Sequence, residues 1–156
     1  MPIYYQSQLE NIAAVCMGIR VDSAAAAVTN AAVTKFTVTG GNVIMTGFVG
    51  EIEVDIPAGA ITLAINHTPT VGTVTPLASA SADFAGYIAG RMCYLPAVAG
   101  ALVWTATGGA RMDVTPLYIL RPGALSAIAS ITPATGTIRY TMWYVPVDSG
   151  AYVTGS

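Results

Sequence analysis

Charged side chains are scarce in this chain, and their scarcity limits what it can fold into more than any other feature. Six of its 156 residues are Lys or Arg and eight are Asp or Glu, so 9% of the chain is charged, against about 25% in a typical soluble domain. A folded monomer of this length exposes roughly 7,000 Å², which leaves about one charge per 500 Å² of surface. Such a surface is expected to lie in a membrane or to be covered by other protein.

The best uncharged candidate for a membrane-spanning helix is the segment 92–110. It contains Pro96, Gly100 and the pair Gly108-Gly109, whereas a spanning helix needs about 20 consecutive apolar residues, and these breakers favour two strands with a turn. The first twenty residues lack a basic start followed by an apolar core, so no secretory signal is expected. We therefore expect no membrane partner, and we interpret the chain as one subunit of a large protein assembly.

The cysteine and histidine residues of the sequence predict neither a cofactor nor a metal site. Cys16 and Cys93 form no CxxC pair and are expected to be small buried hydrophobic residues, with a disulfide between them left open. A single histidine makes a zinc site improbable. The net charge of −2 and the scattered basic residues argue against a nucleic-acid partner.

The pattern along the chain predicts one all-β domain with an N-terminal extension. Residues 1–33 are rich in Ala and are expected to form an arm or edge segment, whereas residues 34–156 have the Val, Ile, Thr and Tyr content and the Gly and Pro punctuation of strands. A turn at Gly40-Gly41 or Gly41-Asn42 predicts a β-hairpin of strands 35–39 and 42–49. Further strands are predicted at 51–56, 61–67, 73–81, 87–95, 101–106, 113–120 and 136–147. About eight short strands indicate an antiparallel β-sandwich or a jelly-roll-like fold.

Two of these strands have clear alternation, which assigns their faces. In the segment 51–56 the inward residues are predicted to be Ile52, Val54 and Ile56, and the outward residues Glu51, Glu53 and Asp55. In the last strand one face carries Ile138, Tyr140, Met142 and Tyr144, and the other carries Arg139, Thr141 and Trp143. Both faces of the last strand are bulky, which suits a strand with the core on one side and a partner on the other.

The acidic row of Glu51, Glu53 and Asp55 has the oxygen atoms that calcium prefers, but a strand spreads ligands along a line where a calcium shell must converge. We expect a solvated or partner-facing row, or one that pairs with Arg residues of a neighbouring subunit. His67 lacks a nucleophile signature around it, so no catalytic residue is predicted and the chain is not expected to be an enzyme. Trp143, Tyr140 and Tyr144 have the rings that stack sugars, although core and subunit interface are the commoner places for them.

Two blocks carry a resemblance to a known group of proteins. The segment GIRVDSAAAAVTNAAVTKFTVTGGNVIMTGFVGEIEVD (18–55) and the segment TGTIRYTMWYVPVDSGAYV (135–153) resemble the opening and closing blocks of the β-domain in small structural proteins of tailed-phage virions, and HTPTVG (67–72) is similar to the middle of that domain. Residues 84–112 depart from the pattern. The resemblance implies a virion protein made in the host cytoplasm, and it favours a capsid decoration (cement) subunit on the phage head.

These observations predict a homo-oligomer, with a trimer favoured because threefold points recur on icosahedral shells, and a partner in the lattice of the major capsid protein. The alternative is a receptor- or glycan-binding head module of a phage tail or fibre. The residues expected at interfaces are Ile3, Tyr4, Tyr5, Leu9, Trp143 and Tyr144. The first four lie on an arm outside the β-core, where apolar residues need a surface to cover them. The last two lie on the strand that is bulky on both faces.

Overall fold

A computed structural model describes residues 17–96, 100–105 and 118–156 of the chain. Within these ranges twelve strands form two antiparallel sheets, which confirms the predicted all-β sandwich, while the jelly-roll-like arrangement stays a prediction. In chain order the strands are β1 (Ile19–Asp22), β2 (Ala26–Ala27), β3 (Val33–Thr39), β4 (Val43–Val54), β5 (Leu63–Pro69), β6 (Thr75–Ala78), β7 (Met92–Tyr94), β8 (Val103–Trp104), β9 (Tyr118–Leu120), β10 (Gly123–Ala129), β11 (Thr137–Pro146) and β12 (Tyr152–Gly155).

The two sheets draw their strands from all parts of the chain. Sheet A has the order β1-β11-β4-β7-β8, with β2 beside β11 and β9 beside β4. Sheet B has the order β12-β3-β10-β5-β6. The sequence pattern does not reveal β10, because its residues GALSAIA are mostly small and have low strand propensity. It is nevertheless a central strand, paired with β3 on one side and β5 on the other.

The predicted hairpin of β3 and β4 is wrong, although the turn at Gly40-Gly41 is present. Gly40 has φ +78° and Gly41 has φ +155°, a backbone that favours glycine. The chain passes there from sheet B to sheet A, so the two strands face each other across the core instead of lying side by side. Both strands bury alternate apolar residues. Strand β3 is hydrogen-bonded to β10 and β12, and strand β4 is hydrogen-bonded to β11 and β7.

The core lies between the sheets and is built from alternating residues. The four residues predicted to share one face of the last strand are all buried in β11, and Leu63, Ile65 and His67 are buried along one face of β5. Aromatic rings connect the sheets: Phe36 of β3 meets Phe48 of β4 edge to face at 6.2 Å, and Phe48 lies 5.6 Å from Tyr140 of β11. Such pairs add about 0.5–1.5 kcal/mol each beyond their buried area.

The segments 42–49 and 51–56 do not form two strands, because β4 runs unbroken from Val43 to Val54. Ile52 and Ile56 are buried as predicted, but Val54 is 46% exposed, so its inward assignment is wrong. The register explains the error: Ile138 lies opposite Ile52 and Thr137 opposite Val54, with a bulge between them. An extra residue on one strand breaks the alternation at that point.

The open edges of the two sheets are bridged on both sides. On one side β1 of sheet A approaches β12 of sheet B, and the Ala24 amide donates to the carbonyl oxygen of Ser156 at 2.7 Å. On the other side Ser79, next to β6, bonds through its backbone to Gly100 and Leu102, next to β8. Ile19–Asp22 thus forms an edge strand of sheet A on β11. Residues 1–16 lie outside the described residues.

Candidate functional site

One end of the sandwich collects most of the exposed apolar side chains. The connections β3–β4, β5–β6, β9–β10 and β11–β12 meet at this end, because Gly123 pairs with both Val38 and Pro69 while Gly40-Gly41 joins the two sheets there. Of the ten large apolar residues exposed in the described part of the chain, seven lie here. This apolar end consists of Ile19, Val71, Val74, Ile119, Val145, Val147 and Tyr152.

Exposure at the apolar end is high and charge is low. Val71 is 78% exposed and Ile119 is 66% exposed. In the four connections, all within the described residues, the charged side chains are Arg121 and Asp148, and the Asp148 carboxylate accepts a hydrogen bond from the Asn42 amide at 2.7 Å. The opposite end has the exposed residues Val54, Ile88 and Ile131, with Asp55, Asp83 and Arg91 among them. The molecule is therefore apolar at one end and charged towards the other.

His67 lies below the apolar end, beside a cavity of about 330 Å³ that Tyr118 and Arg121 also line. Its Nε2 atom lies 3.1 Å from the carbonyl oxygen of Arg121. A carbonyl only accepts, so Nε2 is the donor. Burial lowers the pKa of His67, although the Arg121 carbonyl partly opposes this. Within the described residues the hydrogen bond of the ring is to the Arg121 carbonyl, and no nucleophilic side chain or carboxylate is bonded to it.

A second surface lies on the outer face of sheet A. This sheet-face groove has a volume of about 260 Å³ and is lined by Arg20, Val49, Glu51, Met92, Arg139, Thr141 and Trp143. Register sets the arrangement. Trp143 of β11 lies between Arg20 of β1 and Gly47 of β4, so one neighbour of the indole has no side chain. Thr141 lies opposite Val49, and Arg139 lies opposite Glu51.

The acidic row pairs within its own chain. Arg139 Nη2 lies 2.9 Å from Glu51 Oε2, and Arg139 Nε lies 3.0 Å from Glu53 Oε1. The hydrogen bond to Glu51 and the charge of Glu53 raise the pKa of Arg139. Asp55 accepts a hydrogen bond from the Ala89 amide at 2.7 Å. Within the chain Glu51 and Glu53 therefore pair with Arg139, which β11 places opposite Glu51, while pairing of the row with Arg residues of a neighbouring subunit stays a prediction.

A second polar cluster lies one strand away, around the carboxylate of Asp22. Its Oδ1 atom accepts from Arg20 Nε and Nη2 at 3.1 and 3.0 Å and from the Thr141 hydroxyl at 2.6 Å. Partial burial raises the pKa of Asp22, but the bonds from Thr141 and Arg20 outweigh burial and hold the pKa below its ordinary value. Each arginine of the groove is therefore fixed by a carboxylate.

The predicted interface residues separate into three groups. Ile3, Tyr4, Tyr5 and Leu9 lie outside the described residues. Tyr144 is 4% exposed and belongs to the core of its own chain, so it is not available at an interface. Trp143, on the opposite face of β11, is half-buried and reaches the outer surface.

Cys93 is buried, and burial raises the pKa of its thiol to about 12; it has no disulfide partner within the described ranges, and Cys16 lies outside them. Residues 17–96, 100–105 and 118–156 contain no group of three or more His, Cys, Asp or Glu residues able to hold a metal ion. Nor do those ranges include a helix that is long and apolar enough to cross a membrane.

Sequence reasoning missed most of the apolar end and the role of Arg139. Val71 and Val147 adjoin Gly72 and Asp148 in turns, and a large apolar residue within a turn is the available signal for an exposed one. Arg139 sits on a strand far along the chain from Glu51, so only the β4–β11 register brings them together.

Comparisons with protein-family models, with curated proteins and with solved structures found no match to this chain.

Proposed function

We propose that this protein is a non-enzymatic virion structural subunit, a capsid decoration (cement) protein that binds the assembled phage head and stabilises it. The observation that carries the proposal is the apolar end, where seven of the ten exposed large apolar residues of the described chain gather beside only two charged side chains in the connections. A concentration of exposed large apolar side chains with little charge among them is uncommon on free monomers and is typical of protein association sites.

The sandwich is suited to attachment through an end. Backbone hydrogen bonds join Ala24 to Ser156 on one side and Ser79 to Gly100 and Leu102 on the other, which leaves less edge backbone open to strand addition and favours association through faces or ends. The resemblance of the segments 18–55 and 135–153 to tailed-phage structural proteins supports the choice of a head shell as the partner. In this proposal the subunit is a homotrimer, which places three apolar ends side by side on the shell. The trimer then binds the shell more tightly than one subunit would, because its three contacts are linked.

The proposal is tested by adding the protein to purified undecorated heads and measuring occupancy and the temperature at which the heads release DNA. A ligand that binds only the assembled lattice raises that temperature. The double variant Val71→Asp/Ile119→Asp, at the apolar end, is expected to lose occupancy and protection. The matched double variant Ile88→Asp/Ile131→Asp, at the opposite end, is expected to keep both. Equal binding by the two variants, or absence of wild-type binding to heads, would contradict the proposal.

A further inference from the structure

We propose that the sheet-face groove is a second binding site and that it takes one ring of a neutral saccharide, stacked on Trp143. This site lies on the outer face of sheet A, away from the apolar end, and does not depend on the proposed function. An indole on the outer face of a sheet combines a flat apolar surface with a polar edge. The C–H groups on one face of a pyranose ring carry partial positive charge, and an aromatic face carries partial negative charge.

The neighbours of Trp143 leave room for a ring. Gly47 occupies the cross-strand position on β4 and has no side chain, while Arg20 occupies the position on β1. The groove volume of about 260 Å³ is just below the range of about 300–1,000 Å³ typical of pockets for drug-sized ligands, which leaves room for a single sugar ring.

The polar groups around the groove include both hydrogen-bond donors and acceptors, as the binding of sugar hydroxyl groups requires. A guanidinium has five N–H donors. Arg139 donates through Nη2 to Glu51 and forms an ion pair with Glu53, so donors remain. Glu51 bonds through Oε2, which leaves Oε1 as an acceptor beside them. Neighbouring donors and acceptors of this type bind two adjacent hydroxyls of one sugar ring. Because ion pairs already hold these side chains, ligand binding orders few new torsions.

The charged side chains around the groove disfavour the binding of acidic ligands. Arg20 and Arg139 supply two positive charges, and Asp22, Glu51 and Glu53 supply three negative charges. The cluster is net negative, and both guanidinium groups are neutralised by carboxylates within 3.1 Å. A sialylated or sulfated sugar or a nucleotide would meet repulsion there, whereas an uncharged sugar would not.

The test uses the full chain on an array of oligosaccharides tipped with glucose, galactose or mannose, printed beside sialylated and sulfated ones. The strongest neutral probe is then titrated against intrinsic fluorescence, since the chain has two tryptophans and Trp104 is packed against Phe84 at 4.7 Å. We expect saturable binding of neutral probes. Trp143→Ala should weaken it by about tenfold or more, and Trp143→Phe should stay within about threefold of wild type.

Ile131→Ala removes an exposed apolar side chain outside both the groove and the apolar end and is the matched control; it should bind as wild type does. Binding to sialylated or sulfated probes alone, absence of any binding, or full binding by Trp143→Ala would overturn the proposal. Attachment to heads is measured separately with the apolar-end variants, so failure of either proposal leaves the other standing.

Discussion

The ring of Tyr140 packs directly against the backbone of Gly50. A Cβ atom on Gly50 would lie 2.9 Å from Tyr140 Cε1 and 2.7 Å from Cys93 Sγ. Tyr140 is fully buried and borders the middle of the core, so the absence of a side chain at position 50 lets β4, β7 and β11 approach each other. The small side chain here is a packing requirement and not a turn signal.

Gly50→Ala is therefore expected to destabilise the fold by about 1–3 kcal/mol, since overpacking forces neighbours to shift. Urea denaturation measures the change. Cys93→Ala removes the sulfur that the new methyl group meets, so the double variant should lose less stability than the sum of the two single variants. Additive losses would show that the clash with Cys93 is not the cause.

Lys35 is the one lysine of the sequence, it is 4% exposed, and its Nζ atom lies 5.7 Å from the centroid of the Tyr140 ring. Burial lowers its pKa. The unfolded chain therefore binds this proton up to a higher pH than the folded protein does, and stability rises with pH between the folded and unfolded pKa values of Lys35.

Lys35→Met should accordingly raise stability at pH 7 by about 1–2 kcal/mol, and the gain should shrink as the pH approaches about 10.4. The measurement is the difference between wild-type and variant denaturation curves from pH 6 to pH 10.5, which cancels the titration of other groups. A less stable variant at pH 7 would mean that the interaction of Lys35 with Tyr140 outweighs desolvation.

Cys93 should be unreactive in the folded protein. Burial raises the pKa of its thiol to about 12, and only the thiolate attacks disulfide reagents. In a Cys16→Ser background, labelling with a thiol-reactive disulfide at pH 8 should be slow without denaturant and fast with it. Because the unfolded thiol ionises near pH 8.5, stability should also fall as the pH rises from about 8.5 towards 12. Prompt labelling of native protein would contradict the burial of Cys93.

The stability effects of replacing two tyrosines test which of them lies in the core and which on the surface. Tyr144 is 4% exposed and Tyr152 is 48% exposed. Tyr144→Ala should cost about 3–5 kcal/mol of unfolding free energy because it leaves a cavity between the sheets. Tyr152→Ala should change stability by about 0.5 kcal/mol or less. Equal losses in thermal or urea denaturation would refute the assignment of the two residues.

The low charge of the chain, 9% of its residues, and the bulky outer face of β11 predict association in solution. Closed symmetry hides apolar surface, and a trimer is the expected state. Sedimentation velocity at micromolar concentration should give a species of three times the chain mass. A stable monomer under these conditions, away from any shell, would contradict the trimer.

Patterns within a strand were predictable from the sequence, and relationships between strands were not. Alternation correctly placed Ile138, Tyr140, Met142 and Tyr144 on one face of β11, because the two-residue period is a local property, but it did not show which face is buried. The Gly40-Gly41 turn did not distinguish a hairpin from a passage between sheets, since both need glycine conformations at the turn. The bonds of Arg139 to the acidic row depend on a register set by distant parts of the chain.

The passage of the chain from one sheet to the other at Gly40-Gly41 has a consequence for folding. Within the described residues, β5–β6 and β7–β8 are the pairings between consecutive strands, whereas β4 needs β11, and β3 needs β10 and β12. A fold dominated by such distant pairings is slow to form, because the chain must close long loops before it gains their contacts. During synthesis neither sheet can be completed until the last strands have left the ribosome. The nascent chain therefore keeps its core residues uncovered for most of translation, when protection by chaperones matters most.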